Sequence, residues 1–234
     1  MSTRPNSTGL RPTRPFDLVS LDMAGTTVDE GGLVYEVLAA TVVDAAGRPL
    51  PDVLLSQWKG TSKKEAIAGL LHGLDADDVS VESVFEDFRS RLITAYRTNP
   101  PKPVAGVPEA LADLRANGVK VALQTGYSAD IADAILEGMG WAVGDTVDAL
   151  VTSDMVPASR PAPYLVFRTM EATGIIDVRR VLVAGDTPND ILAGHNAGAG
   201  FVVGVLSGSF GEEELAKTPL THLLPSLAEI GNVE

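Results

Sequence analysis

Cysteine is absent from this 234-residue chain, histidine occurs three times, and aromatic residues make up only 5%. Without thiols there are no disulfides, thiolate metal centres or cysteine nucleophiles. Three histidines are few for a histidine-rich metal site. No apolar run reaches the roughly 20 residues of a membrane span. The N-terminus has no hydrophobic signal core, so a cytoplasmic protein is expected. Positive charge is also scarce: 18 Lys and Arg against 31 Asp and Glu leave a net charge of −13. That sign disfavours nucleic acid and anionic membranes as partners. One local basic pocket would still admit a small anion.

What is present is apolar and segmented. A hydrophobic content of 45% can fill a substantial core. Residues 1–15 are polar, with Arg4, Arg11 and Arg14 and no acid, and read as a flexible tail. FDLVSLD (16–22) is a short apolar strand ending in an acid, followed by the small, glycine-rich MAGTTVDEGG. Residues 33–99 change character: LVYEVLAATVVDAAG, PDVLLSQW, KKEAIAGLLHGL and VESVFEDFRSRLITAY all read at helical period. From 107 onward, strands and helices alternate, which requires a parallel sheet covered on both faces. The expected fold is α/β: an open, parallel-sheet, Rossmann-like core (16–32 and 104–234) with a small all-helical cap (33–103). The NPPKPVAG run (99–106) is the second hinge.

Candidate chemistry sits at strand ends, where open α/β sheets place their sites. Asp22 ends the first strand. The loop after it, with Gly25-Thr26-Thr27, has N–H groups suited to phosphoryl oxygens. Thr125-Gly126 ends a later strand and supplies a hydroxyl and another N–H. Arg160 precedes a Pro-started helix, against the preference of the helix dipole, which points to an anion facing it. Asp186 ends VLVAGD, and Asp190 follows in the first helical turn. Helix capping explains part of that spacing. Two such carboxylates also suit a hard divalent cation such as Mg²⁺.

In this order, D-x-A-G-T-T, T-G, R-P-x-P and G-D-T-x-x-D resemble the haloacid dehalogenase superfamily across residues 16–210. The resemblance implies that Asp22 is a nucleophile forming an aspartyl-phosphate. Thr125 and Arg160 would orient and neutralise the phosphoryl group. Mg²⁺ would bind Asp22, the carbonyl of Ala24 and Asp186, with Asp190 in support.

Ala24 is the informative departure. Phosphomonoesterases of the superfamily usually carry there a second aspartate that protonates the leaving alkoxide, help typically worth about 10²–10⁴-fold. D-x-A-G-T-T resembles the phosphonatase (phosphonoacetaldehyde hydrolase) family instead. In that family a cap lysine forms a Schiff base with the aldehyde, and carbon leaves phosphorus as an enamine. Lys63, three residues after Gly60, has the spacing of that lysine. Lys59 stands where the family has methionine, and Ala66 where it has histidine. Attack on the aldehyde needs a neutral amine, for which Lys59, Lys64 and an apolar wall such as Trp58 are the candidate causes.

The expected substrate is therefore a small phosphonate such as phosphonoacetaldehyde. The alternative is a phosphatase acting on a small phosphorylated metabolite. Dehalogenation fits the phosphate- and metal-binding set less well, and a catalytically weak binding protein would not need it complete. A homodimer joined through the cap is implied only by the resemblance.

Overall fold

The computed structural model describes residues 14–234, so the tail expected at 1–15 lies outside the described residues except for Arg14 and Pro15. Arg14 pairs with Asp113 at 3.0 Å and donates to the Gly231 carbonyl at 2.8 Å.

Strand β1 (Leu18–Leu21) and the two-residue β2 (Val28–Asp29) come first. Four helices follow: α1 (Leu33–Ala46), α2 (Asp52–Ser56), α3 (Lys63–Gly73) and α4 (Val81–Thr98). After β3 (Lys102–Pro103) the chain alternates through α5 (Val107–Ala116), β4 (Lys120–Gln124), α6 (Ala129–Met139) and β5 (Ala149–Val151). It continues through α7 (Tyr164–Thr173), β6 (Val181–Gly185), α8 (Pro188–Ala197), β7 (Phe201–Val205), α9 (Glu212–Leu215) and β8 (His222–Leu224).

Six strands form one parallel sheet in the order β5-β4-β1-β6-β7-β8. Strand β1 is central, and all four of its side chains are buried. A strand covered on both faces reads as an unbroken apolar run, which is why 16–22 is legible. Its neighbours β4 and β6 run in register with it: Leu21 faces Leu123 on one side and Ala184 on the other. The carboxyl ends of these three strands therefore open into one crevice, where the strand order reverses.

The helical segment has its own amphipathic logic. Val84, Phe88, Leu92 and Tyr96 recur every fourth residue on α4 and are all buried. They pack with buried Leu38 and Val42 of α1 and Ile67 and Leu70 of α3. Where the chain enters and leaves this segment, β2 and β3 pair antiparallel, and Val104 N–H donates to the Thr27 carbonyl at 3.0 Å. The expected hinge at 99–106 thus contains a short ribbon, two residues per strand and too brief for any alternation. Among the described residues no helix is long and apolar enough to cross a membrane.

Candidate active site

The crevice holds three buried carboxylates, Asp22, Asp186 and Asp190, with one oxygen from each lying within 4.8 Å of the others. Asp22 follows β1 directly, and its N–H donates to the Ala184 carbonyl at 2.9 Å, fixing it to β6. Arg160 bridges two of the acids: its Nη1 lies 2.7 Å from Asp22 Oδ1 and donates to Asp190 Oδ1. Arg160 is 2% exposed. A buried guanidinium is tolerated only when paired, and here two carboxylates pair with it.

Asp190 is fully committed. Thr187 caps α8, accepting from Asp190 N–H, and Asp190 Oδ2 accepts in return from the Thr187 N–H at 3.1 Å and hydroxyl at 2.5 Å. Its other oxygen meets Arg160. Asp186 differs. Its Oδ2 accepts from Ser209 N–H at 2.6 Å, but Oδ1 is buried with no partner among the described residues. Burial first, and then the neighbouring Asp22 carboxylate, raises its affinity for a proton above the ordinary range. An orphaned carboxylate oxygen beside a second carboxylate fits a hard divalent cation, which takes few carboxylates and leaves positions for substrate and water. Asp186→Ala should weaken Mg²⁺ binding at least tenfold, on the order of the loss expected for a metal-site residue. Titration calorimetry with Mg²⁺ alone checks this, and unchanged affinity would refute the assignment.

The loop after β1 is arranged differently from the expectation. The Gly25 N–H donates to Val28 O at 2.8 Å, and the Thr26 N–H to Met23 O at 3.1 Å. Both groups are therefore consumed inside the loop, whereas the Met23 and Ala24 N–H groups make no such bond among the described residues. The Thr26 hydroxyl donates to Asp22 Oδ2 at 3.5 Å, so Thr26 acts on the carboxylate. Across the crevice, Thr125 Oγ1 accepts from Tyr127 N–H at 3.1 Å, leaving its own proton for another acceptor. The Gly126 carbonyl accepts from Lys63 N–H at 3.3 Å.

That last bond is part of a tight seam between the helical segment and the sheet. A Cβ on Gly126 would stand 2.4 Å from the Thr61 carbonyl oxygen. Gly60, at φ +79°, would place one 2.3 Å from Thr187 Oγ1. Asn189 Nδ2 donates to the Lys59 carbonyl at 2.7 Å. Together these contacts enclose an inner cavity of about 20 Å³, lined by Asp22, Ala24, Lys63, Thr125, Arg160 and Asp186 among others. It has room for about one water. A wider vestibule of about 360 Å³ adjoins it, sharing Ala24 and Tyr35.

Lys63 opens α3, behind the Ser62 cap, and its side chain is buried. Its Nζ donates to the Thr61 carbonyl at 3.2 Å and lies 5.2 Å from the Tyr35 ring centroid and 5.4 Å from that of Tyr127. Burial, followed by the positive charge of Arg160, brings its pKa down to about 8. The N-terminal end of α3 acts in the same direction. Desolvation is the expected cause, but the residues that supply it and the neighbouring cation differ from those expected. Lys64 pairs with Glu82 on the surface at 2.6 Å. Trp58 lies against Gly69 within the helical segment, and the aromatic walls of the cavity are Tyr35 and Tyr127.

A polar chain missed in the sequence runs beside Lys63. Tyr127 and Tyr96 hydroxyls are 3.3 Å apart, and the Tyr96 hydroxyl donates to Glu30 Oε2 at 2.9 Å. Burial pushes the Glu30 carboxyl up, toward its neutral form. Such a chain can pass a proton between the cavity wall and the vestibule that Glu30 lines. Only Tyr127, next to Thr125-Gly126, carried a signal in the sequence.

A buried aspartate at the end of the central strand, an arginine beside it and a helical segment closed over both define a class. The chain belongs to the haloacid dehalogenase-like hydrolases, whose family model matches residues 16–198. More particularly, it is 27% identical over 233 residues to the phosphonoacetaldehyde hydrolase of Bacillus thuringiensis (strain Al Hakam), covering 93% of this chain and 87% of that protein. Among solved structures, the phosphonoacetaldehyde hydrolase like protein from Oleispira antarctica superposes with a TM-score of 0.77 at 20% identity, covering 93% of this chain and 91% of that one. CbbY from Rhodobacter sphaeroides in complex with phosphate gives 0.78 at 20% identity, covering 92% and 96%. At these identities the two structures speak for the fold alone. The chain is an enzyme of this family, a phosphatase or phosphonatase-like hydrolase.

Proposed function

We propose that this hydrolase cleaves the carbon–phosphorus bond of a small phosphonate aldehyde or ketone, with Asp22 as nucleophile and Lys63 as imine-forming amine. One observation carries the reading: Lys63 is enclosed in the same cavity as Asp22, while Ala24 presents only a methyl group there. An alkoxide leaving group would lack its acid at that position. An enamine leaving group needs none.

The steps follow from these residues. The neutral Lys63 amine adds to the substrate carbonyl, and the resulting carbinolamine takes up a proton and loses water to give a protonated imine. An Asp22 oxygen attacks phosphorus, and the C–P electron pair moves into the carbon skeleton, neutralising the iminium as an enamine. Water then attacks the aspartyl-phosphate at phosphorus, freeing Asp22 and phosphate. The enamine takes a proton on carbon, and water hydrolyses the resulting imine to release the aldehyde and Lys63. Throughout, Arg160 and the Thr125 hydroxyl hold the phosphoryl oxygens and offset the repulsion between phosphoryl group and carboxylate. Mg²⁺ bound by Asp22, Asp186 and the Ala24 carbonyl, with Asp190 holding Arg160 and the helix start, would supply further charge stabilisation. The helical segment acts as a cap that parts from the core to admit substrate, since the inner cavity of about 20 Å³ is too small for it.

Borohydride added with phosphonoacetaldehyde should leave a reduced, covalent adduct on Lys63, located by peptide mass spectrometry. Only the neutral amine reacts, so the rate of trapping should rise as pH increases through about 8. Activity that ignores borohydride, with phosphate released from esters and not from phosphonates, would assign the protein as a phosphatase.

A further inference from the structure

Lys59 has no role in the steps above, yet it stands at the entrance to them. Its ammonium lies 5.0 Å from the Tyr35 ring centroid and 5.8 Å from that of Phe210. Lys63 sits on the same Tyr35 ring, so one phenol carries both cations, one in the inner cavity and one in the vestibule. Among the described residues no carboxylate reaches ion-pair distance of Lys59. The acids that share the vestibule are directed elsewhere. Glu30 Oε2 accepts from Val34 N–H at 2.8 Å and from the Tyr96 hydroxyl, and Asp29 accepts from Gly31 N–H at the exposed rim. The rest of the vestibule lining is small, and includes Ala24, Val28, Ser207, Gly208 and Ser209.

A half-buried ammonium with no carboxylate at ion-pair distance, in a chain of net charge −13, can receive an anion. We infer that Lys59 forms a second anion subsite, and that the substrate is a phosphonate carrying a carboxylate at the end remote from phosphorus. The inference rests on Asp22, Thr125 and Arg160 binding the phosphoryl group. With phosphorus there and the carbonyl carbon at Lys63, the next substituent extends past Tyr35 into the vestibule. A 2-oxo acid bearing a phosphonate on its third carbon has its charges in this order. A plain aldehyde leaves Lys59 unanswered.

Binding of two inert ligands, 3-phosphonopropanoate and propylphosphonate, tests this by calorimetry with Mg²⁺ present. Neither has a carbonyl, so imine chemistry does not enter. The carboxylated ligand should bind about tenfold more tightly, the scale of a hydrogen bond to a charged group. Lys59→Met should bring the ratio close to one, and Lys59→Arg should retain it. Equal binding of both ligands, or a preference unchanged in Lys59→Met, overturns the subsite while leaving the phosphoryl site standing. Failure of both ligands to bind removes the phosphoryl site and this inference with it.

Discussion

Asp22→Asn should abolish turnover, lowering kcat on the order of 10⁴-fold or more, as loss of a covalent nucleophile does. The amide has nearly the same shape, so β1 and its buried side chains are undisturbed. Arg160 keeps Asp190 as its partner, and no unpaired buried charge is created. The loss is chemical: a neutral amide oxygen is a poor nucleophile toward phosphorus and a weaker ligand for a cation. Single-turnover phosphate release, beside a thermal melt to verify the fold, reads this directly. A folded variant retaining about a tenth of the activity would end the case for an aspartyl-phosphate.

Lys63→Arg should cost C–P cleavage on the order of 10³-fold or more. The guanidinium keeps the positive charge and remains protonated at any working pH, so it cannot form the imine. Charge alone therefore does not rescue. Because arginine is larger than the buried lysine, Lys63→Gln serves as the second variant, uncharged and close in size. Both should fail with phosphonoacetaldehyde and give no borohydride adduct. A Lys63→Arg protein that still releases phosphate from phosphonates would reduce this residue to an electrostatic contact.

The nucleophile and its immediate partners were legible because they end apolar strands. VSLD, ALQT and VAGD each announce a buried strand by composition and its carboxyl end by a polar residue, and parallel pairing brings those ends together. Lys63 could be singled out only by its distance from Gly60, since nothing local distinguishes a buried lysine from a solvated one at a helix start. Desolvation as a cause of its lowered pKa was foreseeable, but the cation that adds to it was not. Arg160 is about a hundred residues away in sequence and reaches the cavity only through the crossover packing of the sheet. The Tyr127–Tyr96–Glu30 chain was hidden for a similar reason. Tyr96 continues the buried stripe of α4 and reads as core, and its hydroxyl acquires meaning only once β2 brings Glu30 beside it. Strand β8 escaped because three residues at a sheet edge, two half-buried and one buried, are too few to carry a periodicity.

Lys59 and Gly60 are adjacent, yet they answer to opposite demands. The hydrogen bond from Asn189 holds residue 59 by its carbonyl, a bond that does not depend on the side chain carried there. At residue 60 a single added carbon would collide with Thr187. Substrate preference and catalytic assembly are thereby separable within one dipeptide. A lineage could retune what it degrades through changes at the first position, one codon at a time, while the second holds the lysine three residues later in its working place.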